Sequence, residues 1–490
     1  MDNKKKNVSS RKNTRKTLVQ ASTKYKILAA GIITCTVLLC GGYLAHQTGL
    51  PAKVLTGATV AGESIKVNEL NYHYIEVYNM YTQYKIITSK ADLEKIYDET
   101  TGQTYGDYLY DVAAKNEQNI VLMNREAEKA GYKSASAQRQ VDDYVDTLRI
   151  HAKTNKTTAD KVLQSQYGRG LSVRDLKTFM KRELVAQEYA AYLKQTQYNL
   201  TEDKMKAMYD AAPADYDTIT FNSYYIAAAY DSTATDAQKA EAVTAAAGAA
   251  QAILDVTTNP QSFRDASEAA AGTDGASNFA DGADPTIYAN TSKADITNYY
   301  SAGMADYLYA DGRAAGDMTV ITTDAGAYAV YFQTRQLNAD ASVSYRSMLL
   351  TDTDVAAAKA TAEGYQSSVT DEASFTDLVK KYSDDSSTAI SGGLKSSVTA
   401  ASIATDAPTE SEAALSAWLF SADRKAGDMT IIEDVDGVTL YYFQKSLPSW
   451  EATLFDSNVS TEFTNWYTAL AAAEGNGYTL NMGAVEFATY

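Results

Sequence analysis

The spacing of apolar residues along the chain changes near Pro213. Upstream of this proline, apolar positions recur every three or four residues, which is typical of amphipathic helices. The helices predicted from this spacing cover residues 69–87, 108–130, 136–152, 158–166 and 173–195. A strand-like segment at 62–67 comes before them, and Asn68 is the predicted N-cap of the first helix. Thr201 is predicted to cap a further helix that ends near residue 211.

Downstream of Pro213 the sequence contains an internal repeat. The tetrapeptide Gly-Asp-Met-Thr occurs at 316–319 and again at 427–430, and Tyr-Phe-Gln occurs at 331–333 and again at 442–444. Both pairs are 111 residues apart (427 − 316 and 442 − 331). A period of this length is the size of a domain, so the repeat indicates a tandem domain duplication rather than a solenoid.

Each copy has the predicted order strand, helix, helix, irregular loop, short helix and hairpin. In the second copy these elements are a strand at 343–350, helices at 355–367 and 374–382, and a hairpin of 429–433 with 438–444. This order predicts an α+β fold in which helices pack on a small antiparallel sheet.

The same patterns define the expected domain organisation. We expect a helical domain at 57–214, one α+β domain at 215–340 and a second at 341–447. A C-terminal helix and tail at 448–490 should pack back on the helical domain, because an apolar stripe on the helix has no partner in its own segment. The residues of this stripe are Phe463, Trp466, Tyr467 and Leu470.

The N-terminal region has a strongly biased charge. Residues 1–26 carry nine lysine and arginine side chains against one aspartate, and residues 27–45 carry no charge. Such a run is long enough to cross a bilayer, and its basic flank should stay in the cytoplasm. We therefore expect a basic tail at 1–26, an uncleaved transmembrane anchor at 27–46, a linker at 47–56 and an extracytoplasmic remainder. A cleaved signal peptide and a lipoprotein signal ending at Cys40 are the alternatives.

Composition removes several classes of function. The net charge of −17 argues against nucleic-acid binding, which requires a basic surface. The two cysteines, Cys35 and Cys40, both lie in the apolar run, and the three histidines are His46, His73 and His151. No Ser-His or Cys-His pair is available in 215–490, which disfavours a hydrolase. No cofactor and no metal site are predicted.

One stretch of the second copy has a recognisable pattern. Phe375 begins a short helix that ends in Tyr382-Ser383-Asp384-Asp385, and Gly392-Gly393-Leu394 follows. This pattern resembles the parvulin family of peptidyl-prolyl isomerases. The order of an anchor, a helical domain and two such modules resembles the extracytoplasmic foldases of the SurA and PrsA type. The resemblance implies a SurA-N-like chaperone domain followed by tandem parvulin-like α+β domains.

The chain departs from the parvulin pattern at the positions of two family histidines. Ser347 stands at the first-strand position and Thr439 at the last-strand position. In the first copy the matching positions are expected at Tyr224 or Tyr225 and at Tyr328. Because both histidines are missing, the resemblance implies an isomerase whose activity is weak or lost, with the first copy inert.

The resemblance also implies roles for other residues of the second copy. Asp385 matches an acidic position of the family site, although a turn aspartate that binds local backbone amides would have the same sequence. Four apolar residues are candidates for a pocket that holds a proline ring, and ordinary core packing is the alternative for each. These residues are Met348, Leu415, Trp418 and Phe420.

The preferred hypothesis is a membrane-anchored factor that binds unfolded or secreted polypeptides outside the cytoplasm. A non-catalytic surface protein built on parvulin-like modules is the alternative, and the sequence leaves the oligomeric state open. The chain has 37 tyrosines, and five of them lie on the first predicted helix. They predict either a surface that contacts client chains or packing of the helical core. These tyrosines are Tyr72, Tyr74, Tyr78, Tyr81 and Tyr84.

Overall fold

The computed structural model describes residues 49–198, 200–352, 354–403, 407–435 and 437–488. Over these residues the protein is a mixed α+β structure with several small antiparallel sheets. The predicted basic tail, the anchor at 27–46 and Cys40 all lie outside the described residues. Among the helices of the described part, none is long and apolar enough to cross a membrane.

Contacts divide the chain into two compact units. Within the described residues, the first comprises 49–195 together with 464–488, and the second comprises Thr196–Phe463. The helices of the first unit are α1 (Leu50–Val54), α2 (Val67–Gln83), α3 (Tyr105–Lys129), α4 (Ala137–Thr154), α5 (Ala159–Tyr167), α6 (Val173–Thr196) and the C-terminal α18 (Met482–Val485). Its strands are β1 (Thr56–Val60), β2 (Glu63–Lys66), β3 (Ile96–Asp98), β4 (Gln103–Thr104) and β13 (Tyr478–Leu480).

The helices predicted upstream of Pro213 agree with the structure to within a few residues. Their ends follow local capping chemistry, since Thr104 forms a capping box with Asp107, and the Thr158 and Thr201 side chains accept backbone N–H bonds. The predicted Asn68 cap is wrong. The N-cap position of α2 is Lys66, and Asn68 lies inside the helix, where its buried amide donates to the carbonyl oxygen of Gly170 at 3.2 Å.

The sheet of the first unit joins both ends of the described chain. Its strand order is β13-β1-β2, and Ala58 lies opposite Leu480 in the β1–β13 pair. The Tyr478 hydroxyl donates to Asp111 on α3 at 2.6 Å. Tyr467 and Leu470 pack against the buried cluster that contains Leu70, so the C-terminal segment is part of this core.

Most tyrosines of α2 belong to the core rather than to the surface. Tyr72 and Tyr74 are buried, and the Tyr74 ring stacks on Tyr110 with centroids 4.0 Å apart. Tyr78 and Tyr81 are partly buried against the same core, and Tyr84 alone of the five is largely exposed, at 71%. A client-binding surface made by all five tyrosines is therefore excluded.

The second unit contains two similar α+β halves. Its helices are α7 (Glu202–Ala211), α8 (Asp236–Asp255), α9 (Pro260–Gly275), α10 (Lys293–Tyr299), α11 (Ala302–Leu308), α12 (Val355–Ser368), α13 (Glu372–Tyr382), α14 (Ser386–Ala389), α15 (Ala400–Ile403), α16 (Glu410–Leu419) and α17 (Ser449–Ala472), whose last residues belong to the first unit. Its strands are β5 (Asp217–Ala227), β6 (Ile287–Ser292), β7 (Met318–Thr323), β8 (Gly326–Leu337), β9 (Ala341–Thr351), β10 (Leu394–Thr399), β11 (Met429–Asp434) and β12 (Gly437–Pro448).

The two halves have equivalent sheets. Their strand orders are β6-β5-β8-β7 and β10-β9-β12-β11, and every neighbouring pair is antiparallel. The segment predicted as an irregular loop in each half contains an edge strand, β6 or β10. These strands escaped prediction because they are short, partly exposed and bulged, and have no clear alternation of apolar residues.

Candidate functional site

The sheet of the second half, β10-β9-β12-β11, carries on one face the positions that match the family histidines. Ser347 on β9 lies opposite Tyr441 on β12, and Thr439 lies opposite Leu349. Because side chains alternate along a strand, Ser347, Thr439 and Tyr441 point to the same side of the sheet. Ser347 and Thr439 are diagonal neighbours, with Cα atoms about 7–8 Å apart in such a pair. The structure therefore brings the two residues together, as two hydroxyl groups in place of two imidazoles.

The four candidate pocket residues do not share one site. Met348 is fully buried on the opposite face of the sheet, where it packs with Phe375 and Leu440. Leu415, Trp418 and Phe420 lie on the Ser347 side. A pocket made from all four is thus wrong, because Met348 follows Ser347 in the strand and adjacent residues point to opposite faces.

Trp418 is fixed in place by its neighbours. The guanidinium of Arg424 lies 4.3 Å from the centre of the Trp418 ring, and the Arg424 Nε donates to the Trp418 carbonyl oxygen at 3.0 Å. Arg424 also binds Asp428 at 3.2 Å. The first half repeats this arrangement with Arg313, which lies over Tyr307 at 3.7 Å and binds Asp317. The repeated Gly-Asp-Met-Thr aspartate thus anchors an arginine that holds an aromatic ring.

Asp385 has a structural role within its own turn. It is the N-cap of α14, and its carboxylate accepts hydrogen bonds from the backbone amides and the hydroxyls of Ser387 and Thr388. Burial alone would raise the pKa of Asp385, but these hydrogen bonds lower the pKa below its usual value of 3.8. The carboxylate is therefore ionised at neutral pH, and both of its oxygens accept hydrogen bonds from the turn, which agrees with the turn interpretation of its sequence.

A buried arginine that the sequence analysis did not single out supports the site. Arg346, 5% exposed, pairs with Glu372 at 2.9 Å and donates to the carbonyl oxygens of Ser391 and Gly392. Gln444 donates a further hydrogen bond to Glu372. Arg346 thereby ties β9 to the first turn of α13 and to the Gly392-Gly393 turn. It is the one charged residue of the 343–350 run, and a charge inside a buried strand was the signal that such partners exist.

The first half has the same register with different chemistry. Ser223 lies opposite Val330, and Val330 is the repeat equivalent of Tyr441, so Ser223 occupies the position of Ser347. The predicted equivalents Tyr224 and Tyr225 are wrong by one or two residues. Tyr328 does occupy the position of Thr439, since it lies opposite Tyr225 as Thr439 lies opposite Leu349.

Aromatic rings fill the equivalent face of the first half. Tyr225 and Tyr328 are 4.7 Å apart, Tyr300 contacts Tyr328 at 6.0 Å, and Tyr288 contacts Tyr300 at 5.2 Å. Burial raises the pKa of Tyr300 and of Tyr328, so both remain neutral phenols. The four tyrosines give this face aromatic ring surfaces and hydroxyl groups.

The chain has no match among protein-family models, and no curated protein matches its sequence.

Proposed function

We propose that the protein is a membrane-anchored extracytoplasmic folding factor that binds unfolded or secreted polypeptides, and that the isomerase activity of its parvulin-like domains is weak or lost. The observation that supports this most is the duplicated antiparallel sheet with equivalent registers, which matches the expected tandem α+β modules. The basic tail and the apolar run at 27–46 support the anchor and its orientation.

Weak activity follows from the side chains at the family positions. Ser347 and Thr439 supply hydroxyls where the family has imidazoles. The Asp385 carboxylate already accepts the hydrogen bonds that cap its helix. Isomerisation needs only that the twisted amide be stabilised, so hydroxyl groups on an apolar face can contribute to it. Loss of an oriented hydrogen-bond network costs about 2–4 kcal/mol of transition-state stabilisation, which is a rate loss of roughly 30- to 1000-fold.

Client binding is assigned to an exposed apolar surface of the first unit, called the Tyr97 surface. Its members are Met80, Tyr84, Ile86, Ile96 and Tyr97, each at least 43% exposed. The Tyr97 ring stacks on Tyr108 at 3.8 Å, and Tyr108 contacts Tyr81 on α2 at 6.1 Å, which connects the two segments that carry the surface. A group of exposed apolar side chains of this kind is typical of surfaces that bind other chains.

The test compares two triple variants of the full chain in an aggregation assay with an unfolded protein. Tyr84→Ser, Ile86→Ser and Tyr97→Ser together should abolish most of the suppression of aggregation. The matched control replaces three other exposed residues of the same unit with serine and should still suppress aggregation. These residues are Tyr144, Ile150 and Tyr192. Equal suppression by both variants would contradict the assignment of the surface.

An isomerase assay on a proline-containing peptide tests the proposal that the isomerase activity is weak or lost. The wild-type chain should have activity far below that of a parvulin with both histidines. Activity at the level of such an enzyme would contradict the proposal.

The non-catalytic alternative is favoured by one observation, the saturation of Asp385 by hydrogen bonds within its own turn. It predicts that neither isomerase activity nor aggregation suppression is present. A chain that fails both assays would support this alternative.

A further inference from the structure

The first unit contains a buried histidine held between carboxylates from three helices. His73 on α2 is 3% exposed, and its Nδ1 lies 3.2 Å from Glu76 Oε2. Its Nε2 lies 3.2 Å from Oε1 of Glu117 on α3. Glu183 on α6 completes the group, since one ligand atom from each of His73, Glu76 and Glu183 lies within 4.8 Å of the others.

Glu117 is the unusual member of this cluster. It is 0% exposed, and neither carboxylate oxygen has a hydrogen-bond partner in the described part of the chain. The contact with His73 has an ion-pair distance without the alignment of a hydrogen bond. A buried carboxylate without donors is costly, so its position beside the imidazole requires an explanation.

The cluster also has an excess of negative charge. Glu69, Glu76, Glu117 and Glu183 face His73 and one guanidinium, that of Arg182, which binds Glu69 at 2.5 Å. With the imidazole neutral, as it is when it binds a metal ion, four ionised carboxylates and one guanidinium carry a net charge of −3, and a divalent cation would reduce it to −1.

We propose that His73, Glu76 and Glu183 bind a divalent transition-metal ion such as Zn²⁺, with Glu117 orienting the histidine. In this arrangement Nδ1 of His73 is the metal ligand, and its Nε2–H donates to Glu117. A carboxylate that receives the second ring N–H of a ligating histidine is the usual support of such sites. Glu117, 3.2 Å from Nε2, holds the ring with Nδ1 toward Glu76, and its contact with the histidine accounts for its burial.

The ligand types favour a transition metal over Mg²⁺ or Ca²⁺. Imidazole nitrogen with carboxylate oxygen suits Zn²⁺ and its neighbours, whereas Mg²⁺ and Ca²⁺ prefer sites made of oxygen alone. Ligand atoms around a tetrahedral Zn²⁺ are roughly 3.4 Å apart for bond lengths of about 2.1 Å. The side chain of Glu76 is 39% exposed, so the site is open to solvent on that side and a carboxylate there can move the remaining distance.

A ligating imidazole carries no proton on the nitrogen that binds the ion, so a proton competes with the metal ion for Nδ1 of His73. The scarcity of histidine in the chain argues against a metal site at the level of sequence, and only the fold brings Glu117 and Glu183 to His73.

The test is calorimetric titration of the metal-stripped full chain with ZnCl₂ near pH 7.5, followed by the same titration with MgCl₂. We expect one site that binds Zn²⁺ and has at least tenfold weaker affinity for Mg²⁺. Glu76→Gln and Glu183→Gln should each lower Zn²⁺ affinity at least tenfold, and both residues retain some exposure, so the variants should fold. Glu117→Gln should lower it about 10- to 100-fold, the range for a supporting partner of a ligand.

The matched control is His151→Gln on α4. His151 is exposed, and apart from its partner Asn155 it has no role in the cluster, so its replacement should leave Zn²⁺ affinity unchanged. A second readout is the visible spectrum of the Co²⁺-loaded chain, which should change in His73→Gln and not in His151→Gln. Absence of Zn²⁺ binding overturns the proposal. So does Zn²⁺ binding that survives in both His73→Gln and Glu76→Gln, or Mg²⁺ binding as tight as that of Zn²⁺.

Discussion

The backbone amide of Ser347 donates to the carbonyl oxygen of Gly393 at 2.9 Å, and Gly393 lies so close that a Cβ on it would be 2.1 Å from the Ser347 carbonyl oxygen. In the first half, Ser223 makes the equivalent bond to Thr286 at 2.8 Å. The polar centre of each sheet face is thus held by the turn that leads into the edge strand. This close approach explains the glycine at 393, and a Cβ on Gly392 would instead be 2.4 Å from the Thr376 side chain.

We predict that Gly393→Ala destabilises the second half strongly. Gly393 has φ +73°, and the added Cβ would meet backbone atoms that cannot move aside. The combined cost of the left-handed conformation and of overpacking is about 2–4 kcal/mol in the free energy of unfolding. Urea unfolding followed by circular dichroism measures it.

Gly364→Ala is the matched control for this substitution. Gly364 lies inside α12, and a Cβ there has no heavy atom within 4 Å. The same chemical change should therefore stabilise the helix by about 0.5–1 kcal/mol. Similar effects of the two substitutions would show that the packing of Gly393 on Ser347 is not as described.

Arg346→Met should be one of the most damaging substitutions in the second half. It leaves Glu372 with Gln444 alone and removes the donor to the Ser391 and Gly392 carbonyl oxygens. Glu372 is 43% exposed and stays solvated, so the main loss is the donor to the two backbone carbonyl oxygens, which costs about 1–3 kcal/mol in the free energy of unfolding. Lys359→Met, which breaks the exposed pair with Glu433, should cost less than about 1 kcal/mol. Thermal melting distinguishes these outcomes, and equal shifts in melting temperature would contradict the buried role of Arg346.

The capping role of Asp385 predicts a specific dependence of stability on pH. Its pKa is lowered in the folded state, so its ionised form contributes stability that is present above the unfolded value of 3.8 and is lost as the pH falls through the folded pKa. Asparagine caps helices almost as well as aspartate, so Asp385→Asn removes mainly the charge. The wild-type chain should melt above the variant at pH 7, and the difference should shrink below about pH 3.8.

A difference that is constant between pH 7 and pH 3 would contradict the lowered pKa. The same variant also tests the catalytic interpretation of Asp385. If the carboxylate acts only as a cap, any residual isomerase activity of Asp385→Asn should follow the folded fraction.

Local chemistry made much of the fold predictable from sequence. Helix spacing and caps such as Thr201 defined the helices, and the repeat around Gly316 and Gly427 defined the duplication. The edge strands β6 and β10 were missed because their hydrogen bonds to β5 and β9 determine them, and their own side-chain pattern does not. β1 was missed for the same reason, since its partner β13 lies at the other end of the chain.

The candidate site was less predictable than the fold. The predicted hairpin was enough to bring the Ser347 and Thr439 positions close together. The face of the sheet on which a side chain lies changes with each residue along a strand. Met348 therefore lies on the face opposite to Trp418, which the sequence pattern did not reveal. The assignment in the first half erred at Tyr224 for the same reason. Contacts between distant segments, such as Arg346 with Glu372, leave no regular spacing in the sequence.

The final prediction concerns the C-terminal strand. Removal of residues 473–490 should destabilise the first unit, because β13 covers β1 and the segment supplies Tyr478, Leu480 and Val485 to its core. The loss includes the bond from Tyr478 to Asp111 and the bond from Gln118 to the Asn476 carbonyl oxygen. Full burial of one large apolar side chain is worth about 1.5–3 kcal/mol, so the loss of one buried and two partly buried side chains removes a large part of the stability of a typical domain.

Limited proteolysis should detect this loss as early cleavage within 49–195, while the second unit remains resistant, and circular dichroism should detect it as a lower melting temperature. Addition of a synthetic peptide of residues 473–490 in excess should restore protection, because the strand can pair with β1 from a separate chain. A peptide with Tyr478→Ser and Leu480→Ser is the control and should not restore it, since these side chains pack in the core. Truncated chains that resist proteolysis as well as the intact chain would show that β13 is dispensable for this unit.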